Sequence, residues 1–159
     1  MVVKNIRRII AEEAELEITG ATLLTVEEAK KLPSRLRVYK NWWWLKTRGN
    51  QNYNVTVVSK FGYINENGVC TDWDKGAVRP ALEISHLKLS NLKIGDTFDF
   101  GCRRFEIISD NRAFCLEDIG DDYFNHCIEG ELDDFNDYEE SDIKKKIVDE
   151  WFDWSVKLC

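Results

Sequence analysis

The sequence predicts a single domain of the α+β class that spans residues 1–159. Apolar residues recur at helical spacing near both ends of the chain, within residues 3–16 and 141–154. Between them, short β-branched and aromatic segments alternate with turn residues, as in antiparallel sheets. A chain of 159 residues, 43% of them hydrophobic, is long enough to bury one sizeable core and short for two ordinary domains.

The first elements are two helices with a strand between them. An amphipathic helix is predicted from Val3 to about Leu16, and residues 21–24 are predicted to form a short buried strand. Thr25 begins the second helix, because its hydroxyl can accept from the Glu28 amide while the Glu28 carboxylate reaches back. That helix is short and ends near Pro33.

A β-hairpin is predicted in the middle of the chain. Residues 53–60 alternate and are β-branched, and the Asn67-Gly68 pair after them is typical of a tight turn, since both positions tolerate positive φ. Ala77–Ile84 is predicted as one more apolar strand, in which Pro80 indicates an edge or irregular position.

The second half predicts a turn, a hairpin, a loop and a helix. Gly95-Asp96 is expected to turn into a strand, and residues 109–112 to join a hairpin. Residues 117–140 are acidic and aperiodic, which predicts a long surface loop. Ser141 is expected to cap a final helix that runs to about Trp154, with one apolar stripe formed by Ile143, Ile147, Trp151 and Trp154.

The net charge of −7 is unevenly distributed. Residues 1–50 carry a balance of +4, whereas residues 116–142 hold 12 acidic residues and no Lys or Arg. Such an acidic surface repels nucleic acid and attracts basic protein surfaces or hard cations. No apolar run is long enough for a membrane span and the amino terminus has no export signal, so we expect a cytoplasmic protein that binds neither membrane nor nucleic acid directly.

The metal-ligating and catalytic residue types give weak patterns. The five cysteines lack a C-x-x-C pair and are predicted to be reduced and mostly buried. Zinc could be held by Cys115, His126 and Cys127 with Cys102 or Cys70, and calcium by Asp118, Asp121, Asp122, Asp133, Asp134 and Asp137; a solvated acidic loop without a cofactor is the default. His86 and His126 lie in no nucleophile–base context, which predicts a non-enzyme.

Four segments resemble a known family. Trp43–Gly49 (WWLKTRG) and Gly76–Leu82 (GAVRPAL) are similar to the paired WWLRSPG and GVRPAL signature of an uncharacterised bacterial and phage domain family. Leu23–Ala29 (LLTVEEA) resembles the piece that precedes the tryptophan motif in that family. Asn136–Ile143 (NDYEESDI) resembles the start of its helix.

The resemblance implies a C-type-lectin-like fold, shared with formylglycine-generating, sulfatase-modifying domains. The order of the segments is similar to that of a compact, permuted variant in small phage and prophage proteins, which implies a host-cell cytoplasmic location. Formylglycine-generating enzymes bind copper through two cysteines, but Cys102 and Cys115 lack the motifs that surround those cysteines. The signature residues, to which structural roles are assigned, are Trp43, Trp44, Arg79, Pro80, Tyr138 and Ser141.

Two residue groups allow both a structural and a functional interpretation. In a strand, Trp42 and Trp44 share one face and Trp43 takes the other, so two indoles can enter a core while Trp42 serves as a binding platform. Arg79 lies in an apolar segment, where an ion pair with Asp72, Asp74 or Glu83 is favoured over a catalytic role.

The sequence thus predicts a non-catalytic binding module that recognises a protein or a glycan through surface loops. The alternatives are an acidic phage inhibitor of a host defence nuclease that imitates nucleic acid, and a zinc-stabilised small protein. Contacts are expected in residues 59–74 and 117–140. The predicted contact residues are Trp42, Asp72, Asp74, Asp121, Asp122, Asp133, Asp134 and Asp137.

Overall fold

The computed structural model describes residues 16–85, 92–125 and 136–158. The predicted N-terminal helix therefore lies outside the described residues, apart from the buried Leu16. Over the described ranges, strands predominate and helices are short, so the prediction of an α+β protein is confirmed. None of the helices in these ranges combines the length and apolar character needed to cross a membrane.

The described residues form ten strands and several short helical segments. The strands are β1 (Glu17–Thr22), β2 (Trp43–Arg48), β3 (Asn54–Val58), β4 (Ile64–Cys70), β5 (Gly76–Ala77), β6 (Ala81–Ser85), β7 (Thr97–Phe100), β8 (Arg103–Ser109), β9 (Arg112–Cys115) and β10 (Asp121–Asp122). The helices are α1 (Val26–Lys30), α2 (Ser34–Arg37), a 3-10 turn (Tyr138–Glu140), α3 (Asp142–Lys145), a π-helix (Lys146–Phe152) and α4 (Asp153–Leu158). They divide between two compact units.

Unit 1 contains residues 16–22, 79–85, 92–119 and 146–158. Its five strands pair antiparallel in the order β1-β6-β9-β8-β7. Aromatic rings fill the core beside β7 and β8: the centroid of Phe100 lies 5.6 Å from that of Trp151, and Phe105 lies 5.9 Å from the same indole. The predicted hairpin around residues 109–112 and the turn at Gly95-Asp96 are confirmed.

The final helix begins as predicted and changes its geometry. The Ser141 hydroxyl accepts the Lys144 amide at 3.2 Å, and Ile143, Ile147 and Trp151 are buried. Trp154, however, is 45% exposed, so its place in the apolar stripe was wrong. A π-helix bonds each residue to the fifth along the chain, which shifts the helical phase. Ser155 is buried instead, and its hydroxyl donates to the Trp151 carbonyl at 2.7 Å.

Unit 2 contains residues 23–78, 120–125 and 136–145. Its sheet has the order β10-β5-β2-β3-β4, antiparallel except for a parallel pair in which Trp43 lies opposite Ala77. The predicted start of the second helix is confirmed, because Thr25 and Glu28 form the reciprocal bonds of a capping box.

The predicted turn at Asn67-Gly68 was wrong. Residues 59–63 join β3 to β4, and Gly68 lies inside β4 with φ of 84°, opposite a register shift between Val55 and Val57. A Cβ at Gly68 would lie 2.6 Å from the carbonyl oxygen of Val55. The positive φ of Gly68 therefore serves a bulge rather than a turn.

Two further segment predictions need correction. Ala77–Ile84 is not one strand, because Val78–Pro80 separates β5 from β6, and β5 and β6 belong to different sheets. Residues 117–140 are not wholly a surface loop, since β10 pairs with β5 and Phe124 is fully buried. The buried Asn136 side-chain amide donates to the carbonyls of Gln51, in the loop before β3, and of Asn54, the first residue of β3.

Candidate functional site

The three consecutive tryptophans separate by strand alternation. Trp43 and Trp44 point to opposite faces of β2 and are fully buried. Each buried indole has a partner for its N–H: Trp43 donates to the Arg37 carbonyl at 3.0 Å and Trp44 to the Asp122 carbonyl at 2.9 Å. These two buried rings anchor β2 in the core of unit 2, so Trp42 is the tryptophan of this run that remains for a role at the surface.

Trp42 is half-buried and connects the core to the surface. Its ring lies 4.8 Å from that of Trp44 on the same face, as alternation predicts. Its ring also lies 5.6 Å from that of Trp73, which is 63% exposed. Trp42 and Trp73 thus form a continuous aromatic contact from the buried Trp44 to the solvent.

Strand pairing brings two of the predicted carboxylates, Asp121 and Asp122, to this same place. Asp122 lies opposite Gly76 in the β5–β10 ladder, and Gly76 lies against the Trp42 ring. Beyond the end of this ladder, Phe124 and Asn125 both donate their amides to the Thr71 carbonyl. Residues 121–125 therefore run beside residues 71–77. We call the solvent-facing part of this region the Trp73 surface, which is formed by the half-buried Trp42 and the exposed Asp72, Trp73, Asp74 and Asp121.

Local hydrogen bonds orient the carboxylates around it. Asp72 accepts from the Cys70 thiol at 2.9 Å, and Asp74 accepts from the Lys75 amide at 2.8 Å. Asp122 accepts from the Tyr123 amide at 2.8 Å, and the Lys75 ammonium lies 5.6 Å from the centroid of the Tyr123 ring. The surface therefore combines an exposed aromatic ring with several oriented hydrogen-bond acceptors.

Asp137 belongs to a different cluster. It lies 3.8 Å from Arg48 and caps the 3-10 turn by accepting the Glu139 amide. A hydrogen bond from Lys144 holds the pKa of the Glu139 carboxyl below its usual range. This arrangement gives Asp137 a structural role beside the buried Tyr138, whereas Asp133 and Asp134 lie outside the described residues.

The described cysteines have three different environments. Cys115 is buried, and burial raises the pKa of its thiol to about 12. Cys102 is exposed in the β7–β8 turn with φ of 61°, and Cys70 is half-buried beside Asp72. The prediction of mostly buried thiols is thus right for Cys115 alone among the three.

The proposed metal sites rest partly on residues that the structure does not describe. His126 and Cys127 of the zinc alternative, and Asp133 and Asp134 of the calcium alternative, are such residues. Within residues 16–85, 92–125 and 136–158, no three His, Cys, Asp or Glu side chains are grouped so as to hold a metal ion. Both metal alternatives stay predictions.

Arg79 lies in the core of unit 1. It is buried, donates to the Cys115 carbonyl at 3.1 Å and places its guanidinium 4.4 Å from the centroid of the Phe114 ring. The Cys115 amide in turn donates to the Pro80 carbonyl at 3.0 Å. These contacts give Arg79 and Pro80 structural roles, and a carboxylate partner for Arg79 stays a prediction.

Trp73 is the residue of this surface that sequence reasoning missed. It was included only as part of the segment 59–74. A sequence signal for Trp73 is its position between Asp72 and Asp74, because a large aromatic residue between two charged residues of a turn does not belong to the buried face of a strand. Tyr123 was also missed, because the acidic residues around it predicted a surface loop, whereas the adjacent β10 pairs with β5.

Comparisons of the chain with models of protein families, with curated proteins and with solved structures find no match. The chemistry of the Trp73 surface is therefore the basis for the functional conclusion.

Proposed function

We propose that this chain is a non-catalytic binding module that recognises a protein or a glycan through the Trp73 surface. The exposure of Trp73 beside Trp42 is the observation that carries this conclusion. Leaving a large apolar side chain in water forgoes roughly 1.5–3 kcal/mol of burial energy. Exposed aromatic rings on a rigid support are typical of binding sites.

The support behind Trp73 reduces the entropy lost on binding. Trp42 contacts both Trp73 and the buried Trp44, so the exposed ring rests on the core of unit 2. A ring held in this way loses little rotamer freedom when a ligand covers it. The aspartates beside it can accept hydrogen bonds from sugar hydroxyls or from the ammonium groups of a basic protein surface.

The proposal includes the C-type-lectin-like architecture of the compact, permuted variant. The pairing of Trp43 with Ala77 supports it, because it places two parts of the sequence signature side by side. In such an architecture a rigid sheet carries loops that vary with the ligand. The phage or prophage origin and the host-cytoplasm location stay predictions that depend on the same resemblance. The single-domain organisation stays a prediction from the length of the chain.

A glycan array and a polylysine binding assay test the proposal together. We expect the unaltered chain to bind at least one glycan class or polylysine, and Trp73→Ala to weaken that binding about tenfold or more, as for a hot-spot aromatic residue. Competition by free sugar distinguishes a glycan ligand from a basic polypeptide.

Trp154→Ala is the matched control, because Trp154 is a partly exposed tryptophan of unit 1. It should leave binding unchanged, and both variants should keep the melting temperature of the parent chain. Retention of full binding by a folded Trp73→Ala variant would contradict the proposed site.

The acidic segment supports a second candidate, an inhibitor that imitates nucleic acid at a basic nuclease channel. Residues 116–142 contain 12 acidic residues and no Lys or Arg, and Glu117, Asp121 and Glu140 are exposed. Binding to a basic nuclease should then weaken steeply as the salt concentration rises. A complex that persists at high salt would exclude this candidate.

A further inference from the structure

A second exposed cluster lies at the turn between β3 and β4, where large apolar side chains remain in solvent. Phe61 is 66% exposed, Tyr63 is 75% exposed and Val38 is 50% exposed. Residues 37–40 run beside this turn, since the Tyr39 amide donates to the Lys60 carbonyl at 3.2 Å. We call this cluster the turn patch, which consists of Val38, Tyr39, Lys40, Lys60, Phe61 and Tyr63.

The turn patch has a fixed support. Arg37 donates to the carbonyls of Leu32 and Gly62, at 2.9 and 3.1 Å, and so links the end of α2 to the turn. Gly62 is buried with φ of 90°, and a Cβ there would lie 3.2 Å from Cγ2 of Val38. The exposed rings therefore project from a tightly packed backbone.

The charge around the turn patch is opposite to that of the whole chain. The turn patch contains two exposed lysines, Lys40 and Lys60, and no Asp or Glu, although the chain carries a net charge of −7. Both cations lie against aromatic rings: the Lys60 ammonium is 5.1 Å from the centroid of Phe61, and the Lys40 ammonium is 5.8 Å from that of Tyr39. Planar apolar faces and positive charges thus alternate over one small surface.

We propose that the turn patch binds single-stranded nucleic acid. Exposed bases stack on aromatic side chains, and neighbouring ammonium groups attract the phosphates, which is the combination that sequence-tolerant single-strand binding requires. A duplex hides the faces of its bases within the stack, so it fits these rings poorly. Segments that bind a bilayer surface are typically amphipathic helices with a long apolar face, whereas the turn patch lies on a turn between strands and beside the end of the four-residue helix α2.

The proposal departs from the expectation of no direct nucleic-acid binding. That expectation rested on the charge of the whole chain and of residues 116–142. Screening limits the reach of exposed charges to about 8–10 Å at ordinary salt concentrations, so the local charge of a surface decides what it binds.

Fluorescence anisotropy with a labelled oligothymidylate of about 12 nucleotides tests this, a length within the site sizes of single-strand binding folds. We expect binding at low salt that weakens as salt is raised from about 50 to about 200 mM. Phe61→Ala and Tyr63→Ala should each weaken it about five- to hundredfold, as the loss of one stacked base predicts. Lys60→Glu should weaken it and reduce the salt dependence.

Tyr53→Ala is the matched control, because Tyr53 is a tyrosine 46% exposed that precedes β3, at the end of the strand away from the turn. It should bind the oligonucleotide as the parent does, and so should Trp73→Ala, which separates this proposal from the proposed function. Absence of binding at low salt, or unchanged binding by folded Phe61→Ala and Tyr63→Ala variants, would overturn it. Binding to phosphatidylserine vesicles without binding to the oligonucleotide would also overturn it, in favour of a membrane ligand.

Discussion

Gly76 lies directly against the indole ring of Trp42. A Cβ at Gly76 would stand 2.5 Å from Cζ3 of that ring, which is far inside van der Waals contact. The absence of a side chain at this point of β5 lets Trp42 lie over the strand and support Trp73. A single methyl group added at Gly76 would therefore displace the Trp42 ring that supports Trp73.

Gly76→Ala is therefore expected to destabilise the protein by about 1–3 kcal/mol, the usual cost of overpacking. Trp42→Ala removes the ring that the new methyl group meets, so Gly76→Ala should cost much less in that background. Denaturant unfolding of the parent, both single variants and the double variant measures the difference. Equal costs in both backgrounds would show that the contact is not the cause.

The capping box of α1 gives a second prediction. Thr25 accepts the Glu28 amide at 3.1 Å, and the Glu28 carboxylate accepts the Thr25 amide at 3.1 Å. Thr25→Ala should lower the free energy of unfolding by about 1 kcal/mol. Glu28→Gln should keep most of the stability because an amide oxygen can also accept that bond, whereas Glu28→Ala should not. Equal stability of the Gln and Ala variants would argue against the reciprocal bond.

Arg79 gives a third prediction, on stability. Arg79→Ala removes a buried side chain from between the Cys115 carbonyl and the Phe114 ring, and should cost about 2–5 kcal/mol, as for large-to-small changes in a core. Arg112→Ala is the control, because Arg112 pairs at 3.8 Å with the more exposed Glu83 and should cost under about 1 kcal/mol. Thermal unfolding compares them. A loss of ligand binding by Arg79→Ala at an unchanged melting temperature would contradict the structural role.

The cysteines give a fourth prediction, on reactivity. With its pKa raised to about 12 by burial, Cys115 is a thiolate in only roughly 1 molecule in 10,000 at pH 8. In the folded protein, iodoacetamide should modify the exposed Cys102 and leave Cys115 unmodified until denaturant is added. Peptide mapping by mass spectrometry assigns the modified sites. Rapid modification of Cys115 in the folded chain would contradict its burial.

The same thiol predicts a loss of stability at alkaline pH. Its ordinary pKa is 9.0, so above that value the unfolded chain releases a proton that the folded chain keeps until about pH 12. The unfolded state then binds fewer protons, and the free energy of unfolding falls as pH rises through this window. Cys115→Ala should reduce the slope of that fall, and an identical slope in parent and variant would exclude the assignment.

Elements governed by neighbouring residues were predictable from the sequence. The capping box at Thr25, the Ser141 cap and the β8–β9 hairpin all depend on groups a few residues apart. The residues that define each cap or turn lie within a few positions of one another, so residue type and spacing are enough to predict these elements. The alternation that separates Trp42 and Trp44 from Trp43 is local in the same sense.

Where one residue type is compatible with two backbone geometries, the sequence did not indicate which of the two would form. Positive φ at Gly68 suits a bulge as well as a turn, and the register between β3 and β4 selects the bulge. Trp154 fits an α-helical stripe, but the π-helix that precedes it turns the side chain towards solvent. In both cases the strand register or the helical geometry, which the residue type does not fix, decides the outcome.

The amino-acid order thus predicted the α+β class and several element boundaries, and it singled out the three aspartates of the Trp73 surface. Their assembly with Trp73 required three dimensions, because β10 reaches β5 across more than forty residues of chain, from Asp121 to Ala77. That pairing depends on the burial of Trp44 and Phe124, whose rings lie 5.6 Å apart. Burial joins residues that are distant in sequence, and no local pattern records which distant faces will meet.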